Sequence, residues 1–221
     1  AAYYFIASRD TRIDAEKFSL AQNCAVILDN SDHKVSEINF SQKHKTVNVA
    51  KIPSYVKDAF ISAEDKNFYS HHGLDYKRML RAALTNLRAG SFKQGASTIS
   101  QQLVKNTQLS NEKTLTRKLK EIKLTRQLEK KYSKDEILEM YLNTIYFGHT
   151  CYGISEAADF YFGKEPSGLT LSEGAMLAAV IRSPNNYSPF TNSEKCLSAR
   201  NSVLRRMFTL GKISESEYEK A

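Results

Sequence analysis

Hydrophobic and polar positions alternate in one stretch of this chain, and elsewhere their spacing is helical. Between residues 24 and 50, Cys24-Ala-Val-Ile-Leu28 is apolar, Asp29-Asn-Ser-Asp32 is a turn cluster, and alternation resumes through Val35, Ile38 and Phe40. That pattern predicts a short hairpin or small sheet. From Pro53 onward the period changes. Pro53 suits a first helical position, with Val56, Phe60 and Ala63 on one face. Asp75 can cap a helix with Leu80, Ala83, Leu84 and Leu87 on its apolar side, ending at Gly90. Another helix starts at Ser97 or its neighbours and continues through Ile99, Leu103 and Val104. A long basic helix follows from about Asn111 to Lys131, with Leu115, Leu119, Ile122 and Leu128 expected inward.

Three later helix starts carry a Ser/Thr-x-x-Glu capping box: Ser133/Glu136, Thr170/Glu173 and Ser214/Glu217. Each box satisfies two otherwise orphaned N–H groups, so it fixes a boundary from local sequence alone. The Thr170 helix holds Ala175, Leu177, Ala178, Ala179, Val180 and Ile181, apolar nearly all round, which predicts a core helix stopping before Pro184.

Charge changes the picture. The net charge is +8, and it is unevenly placed. Residues 77–134 hold 15 Lys/Arg against three acids, Glu112, Glu121 and Glu129, a surplus of +12. A basic run is either a solvated helix face or a surface for an anionic partner such as a phosphate, a nucleic acid or an anionic lipid. No helix-turn-helix, zinc-finger or aromatic RNA-binding pattern accompanies it, which argues against nucleic acid. The three cysteines, Cys24, Cys151 and Cys196, lack metal-ligand or disulfide-framework spacing and read as buried or incidental thiols. No stretch reaches the length of apolar residues that spans a bilayer. Tyr3-Tyr4-Phe5-Ile6-Ala7 is a short apolar start that suits the tail of a membrane anchor upstream.

Two glutamates stand among groups that suit phosphates. Glu64 and Asp65 open a segment with Phe68, His71 and Gly73, where an apolar wall can raise a carboxylate toward general-base strength. Arg117, Lys118 and Glu121 lie three and four apart and share one side of the long helix. Alone, that trio reads as a surface ion pair; beside a phosphate it reads as a glutamate held among pyrophosphate-binding cations. Gly95-Ala-Ser97-Thr98 leads into a helix start suited to oxyanions, and Gln101, Gln102, Lys105 and Asn106 extend that polar set. Tyr141 and Asn143 sit on a mixed helix, where a tyrosine is commonly a core aromatic.

Taken in order, these segments resemble the peptidoglycan glycosyltransferase family: the polymerase domain of class A penicillin-binding proteins and the monofunctional transglycosylases. The resemblance spans roughly residues 53–189 and rests on five motifs. They are Glu64-Asp-x-x-Phe68-x-x-His71-x-Gly73, Gly95-x-Ser97-Thr98-Ile99-x-Gln101-Gln102 and Arg117-Lys118-x-x-Glu121, then Lys134-x-x-Ile137-Leu138-x-x-Tyr141-Leu142-Asn143 and Arg182-Ser183-Pro184-x-x-Tyr187-x-Pro189. Thr150 stands where many relatives have glycine, which suggests a different local backbone, and Lys113 where arginine is common.

The resemblance implies a mainly α, lysozyme-like helical domain with a small membrane-facing helical annex and a short N-terminal β segment. Residues 1–50 would be a linker carrying the hairpin, and residues 51–221 the glycosyltransferase domain. It implies lipid II and the growing glycan chain as partners, with Glu64 and Glu121 catalytic. Asp65, Phe68, His71, Ser97, Thr98, Gln101, Gln102, Lys105, Asn106, Arg117, Lys118, Tyr141 and Asn143 would bind substrate. It implies no tightly bound cofactor, with Mg2+ or Mn2+ accompanying the substrate pyrophosphate. It places the domain at the extracytoplasmic membrane surface, held by an N-terminal transmembrane helix absent from this chain. A transpeptidase domain or a cell-wall synthesis complex is the further partner it suggests. The helix with Met79, Leu80, Leu84 and Leu87 among Lys77, Arg78, Arg81 and Arg88 either lies in lipid headgroups or packs on the core.

Overall fold

The computed structural model describes residues 11–18, 24–28, 34–39, 45–90, 95–109 and 114–221. The expectations for Tyr3–Ala7 and Lys113 fall outside them. The fold is mainly α with one small sheet, as the periodicity predicts. Strands β1 (Cys24–Leu28) and β2 (Lys34–Asn39) pair antiparallel, with an irregularity between Ile27 and Leu28. The helices are α1 (Ser54–Glu64), α2 (Tyr76–Ala89), α3 (Ile99–Gln108), α4 (Leu115–Lys131), α5 (Lys134–Thr144), α6 (Ile154–Phe162), α7 (Leu171–Val180), α8 (Ser193–Thr209) and α9 (Glu215–Lys220).

Local sequence sets most of these boundaries. Ser133, Thr170 and Ser214 each form the expected capping box with the glutamate three residues on. Thr98 and Gln101 form a fourth at the start of α3. Asp75 caps α2 by accepting the Arg78 N–H at 2.9 Å, and Gly90 closes that helix in the left-handed region. Pro53 stands one residue before α1 rather than inside it.

The core forms where apolar faces of several helices meet. Helix α7 is buried almost throughout and packs on α1 and α8. Gly174 permits the close approach to α1, since a Cβ there would lie 3.0 Å from Val56 Cγ2. Helix α3 packs on α4 and α5 through Ile99, Leu103 and Val104. Phe60 meets Phe147 edge-on at 6.0 Å, both fully buried. Each such side chain contributes roughly 1.5–3 kcal/mol relative to leaving it in water. The segment before α1 joins this body: Phe18 lies in the core, and Asn143 clamps Val47 by accepting its N–H at 3.0 Å and donating to its carbonyl at 2.9 Å.

Helix α4 differs from the sequence expectation, and the leucines of α2, for which two placements were open, do not pack on the core. The inward face of α4 is Glu121, Leu124, Thr125 and Leu128; Leu115 is 69% exposed, and Leu119 and Ile122 are half-buried. The stripe is rotated because the side chains covering Glu121 come from other turns and another helix, where sequence spacing along α4 cannot show them. On α2 only Ala82 is buried, while Leu80, Leu84 and Leu87 are 64%, 47% and 80% exposed.

Candidate active site

Helix α1 ends at Glu64, and the chain then turns through Asp65 to Gly73. Asp65 is fully buried and ties this turn to the next helix. Its Oδ2 accepts from His71 Nε2 at 2.9 Å and from the Ile99 N–H at 3.0 Å. His71 Nδ1 accepts the Gly73 N–H at 3.1 Å, which leaves Nε2–H as the donor to Asp65. Gly73 has φ +84, and a Cβ there would meet Thr125 Cγ2 at 2.8 Å, so only glycine fits. Its carbonyl accepts the Thr98 hydroxyl at 2.6 Å.

The helix start expected to receive an oxyanion is therefore already engaged. Asp65 takes the Ile99 N–H, Thr98 takes the Gln101 N–H, and Gln101 Oε1 takes the Thr98 N–H. The protein's own carboxylate occupies the positive end of α3. Thr98 is buried within that lock, whereas Ser97 lies at the cleft surface.

Consecutive glutamines on α3 reach one glutamate each. Gln102 Nε2 donates to Glu64 Oε2 at 2.7 Å, and Gln101 Nε2 donates to Glu121 Oε1 at 3.0 Å. Tyr141 donates its hydroxyl to Gln102 Oε1 at 3.3 Å, which orients the amide for Glu64. Burial, and then the nearby Glu64 and Asp65 charges, push the Tyr141 hydroxyl well above its ordinary value, so it stays a donor. Glu121 is 1% exposed and receives Lys118 Nζ, Gln101 and, at 3.3 Å, Arg117 Nη1. This is a buried organised carboxylate rather than a surface ion pair.

Glu64 itself is half-buried and lines a cleft of about 620 Å3. Its backbone carbonyl accepts from Arg78. Among the described residues six cations line the cleft, Lys66, Lys77, Arg78, Arg81, Arg182 and Arg206, against two carboxylates, Glu64 and Asp75. Asp75 is already engaged by the Arg78 N–H and by Asn67 Nδ2 at 2.8 Å. The cleft is thus strongly electropositive around one half-exposed carboxylate.

The remaining residues with expected substrate roles are placed differently. Phe68 is fully buried, edge-on to Tyr69 and His71, with Lys134 Nζ 4.6 Å from its ring centroid. Asn143 spends its amide on Val47 and on the Glu139 carbonyl. Lys105 and Asn106 are exposed on α3, and neither they nor Arg117 and Lys118 line the cleft around Glu64. Sequence reasoning assigned no site role to Arg182, although it opens the Arg182-Ser183-Pro184 motif, and none to Arg206, which carries no local signal. Among the described residues no group of three or more His, Cys, Asp and Glu is arranged to hold a metal ion, and no helix is long and apolar enough to cross a membrane.

A half-buried carboxylate held by the Gln102 amide in a cationic cleft suits an anionic ligand. The transglycosylase family model matches residues 31–208. The chain is 43% identical over 205 residues to penicillin-binding protein 1F of Bacillus subtilis, covering 93% of this chain and 28% of that protein. It is 47% identical over 180 residues to penicillin-binding protein 1A of Aquifex aeolicus, covering 81% and 25%. A crystal structure of penicillin-binding protein 1A from Haemophilus influenzae aligns over 90% of this chain and 20% of that one, with a TM-score of 0.48 and 24% identity. The chain belongs to the transglycosylase family, the peptidoglycan glycosyltransferase class of enzyme found in class A penicillin-binding proteins. It spans about a quarter of the length of the curated relatives it matches.

Proposed function

We propose that this domain polymerises lipid II into β-1,4-linked glycan by a single inverting displacement. Glu64 removes the proton from the 4-hydroxyl of the acceptor GlcNAc. The oxygen attacks C1 of the MurNAc at the reducing end of the growing chain, and the C1–O bond to undecaprenyl pyrophosphate breaks. The α-linked donor becomes a β-1,4 bond, the proton resides on Glu64, and the pyrophosphate departs with the bonding pair. The observation that carries this reading is the position of Glu64: half-buried, fixed by Gln102 and surrounded by cleft cations. Preorganised cations stabilise the charge that develops on a leaving phosphate.

Glu121 serves in this reading as an organiser. Three donors hold its carboxylate, and it in turn fixes Arg117 and Lys118. A carboxylate so engaged does not fit a metal ligand, so a Mg2+ or Mn2+ ion would arrive on the substrate's phosphates. The exposed Leu80, Leu84 and Leu87 of α2, flanked by Lys77, Arg81 and Arg88, suit a helix lying in the headgroup region of an extracytoplasmic membrane surface. The linker and domain division near residue 50, an upstream anchor and an attached transpeptidase domain belong to the same proposal.

Incubating the purified chain with lipid II tests the reading. Formation of glycan polymer supports it. Release of fragments from preformed glycan would instead indicate a lytic enzyme, and binding without turnover a non-catalytic module.

A further inference from the structure

Glu129 lies outside every motif that carries the family resemblance, in the last turn of α4. Its side chain is 6% exposed and holds two partners. The Ser100 hydroxyl of α3 donates to its carboxylate, and Lys134 Nζ lies 2.7 Å from Oε1. Lys134 is the first residue of α5. Neither charge suits its place on its own helix. A carboxylate near a helix C-terminus and an ammonium at an N-terminus both oppose the helix dipole. Taking the carboxylate out of water adds a further cost. These placements call for an explanation outside either helix.

The pair closes a circuit around the 65–73 turn. Lys134 Nζ sits 4.6 Å from the centroid of the Phe68 ring, and Phe68 meets His71 edge-on. His71 donates to Asp65, and Asp65 accepts the Ile99 N–H. The next residue, Ser100, returns to Glu129. Gly73 is pressed against the same side chain, since a Cβ there would lie 2.9 Å from Glu129 Cγ. Glu64 stands immediately before Asp65 on one side of the circuit, and Gln102 two residues after Ser100 on the other. Those two side chains meet at 2.7 Å.

We propose that Glu129 is a positioning residue for the transfer reaction. By anchoring Ser100 and Lys134 at once, it fixes the rotation of α3 against the 65–73 turn and so aims the Gln102 amide at the Glu64 carboxylate. Glu129 does not line the cleft, so its effect on the reaction passes through Gln102. The catalytic consequence rests on the reading of Glu64 as the base, and the positioning rests on the circuit itself.

The test measures lipid II polymerisation and melting temperature for Glu129→Ala and Glu129→Gln, each alone and combined with Gln102→Ala. Glutamine keeps the volume and a hydrogen-bond partner for Ser100 but loses the ionic bond to Lys134, so it stays informative where alanine unfolds the domain. The expected loss of kcat is roughly tenfold for alanine and roughly fivefold for glutamine, with KM within about twofold. In the Gln102→Ala background either substitution should change kcat by less than about twofold, while lowering the melting temperature as much as it does alone. A residue that only stabilised the fold would cost the same factor in both backgrounds, so equal kcat losses overturn the inference. The side-chain amide NMR resonances of Gln102, identified by their loss in Gln102→Ala, give a readout without turnover. They should shift on Glu129→Gln, and unshifted resonances also overturn the inference. If the unsubstituted domain makes no polymer while these resonances shift on Glu129→Gln, the positioning stands and the polymerase reading fails.

Discussion

Gln102 donates its side-chain amide to the Glu64 carboxylate at 2.7 Å, and Tyr141 fixes which end of that amide points there. The next residue back, Gln101, makes the corresponding bond to Glu121. One turn of α3 therefore sets the positions of both glutamates. Replacing Gln102 with Ala removes a charge-assisted bond worth about 1.5–3 kcal/mol and frees the Glu64 carboxylate to rotate. The expected outcome is a fall in kcat of roughly tenfold or more with little change in KM, read from lipid II kinetics. Tyr141→Phe should produce a smaller change in the same direction.

Glu121 tests the buried network by its stability. Its side chain is almost inaccessible and holds Arg117, Lys118 and Gln101 together. Glu121→Ala leaves these donors buried or half-buried without their acceptor. Removing one partner of a buried ion pair costs about 3–5 kcal/mol, and the half-exposed Lys118 places this site near the lower end. Urea denaturation should show a loss of about 3 kcal/mol; a loss below about 1 kcal/mol would mean the pair behaves as a surface contact.

What sequence could show here was what sequence-local forces decide. The capping boxes at Ser133, Thr170 and Ser214 set helix starts because each involves residues three apart. The apolar helix after Thr170 lies in the core for the same local reason. The inward rotation of α4 was illegible, since a glutamate becomes a core residue only when Gln101, twenty positions earlier, comes to meet it. The filled start of α3 was hidden likewise, because its anion is Asp65, 34 residues upstream of Ile99. Arg206 was invisible: nothing near it in sequence announces a cleft formed with Glu64 and Arg182.

Thr150 offers a stabilising change. Both His149 and Thr150 have positive φ, 49 and 62 degrees, and a β-branched residue is poorly suited to that region. The threonine thus keeps a left-handed backbone that glycine would adopt without strain. Relief of about 1–2 kcal/mol outweighs the added freedom of glycine in the unfolded chain. Thr150→Gly should raise stability by up to about 1 kcal/mol, a melting-temperature gain of roughly 2–4 °C. A lower melting temperature would contradict the strained assignment.

Acid should unfold the domain through specific carboxylates. Burial opposes ionisation of Asp75, yet bonds from the Arg78 N–H and Asn67 outweigh it and hold the carboxyl below its ordinary value. Glu173 is also lowered, since Lys164 and the Thr170 capping bonds outweigh burial. A lowered folded-state value means the stabilisation is fully present above the unfolded value of about 4 and is lost as pH falls through the lower folded values. Thermal melts should therefore be nearly flat with respect to these groups above roughly pH 5 and decline below roughly pH 4. In Asp75→Asn the decline should be shallower.

The central claim, that Glu64 removes the acceptor proton, is tested most directly by Glu64→Gln assayed in parallel for polymer formation and for lipid II binding. The amide keeps the size of the side chain but cannot take the proton, so polymerisation should fall at least roughly 100-fold while lipid II affinity stays within a few-fold of the unsubstituted domain. Polymer formed by Glu64→Gln at the unsubstituted rate would contradict the account.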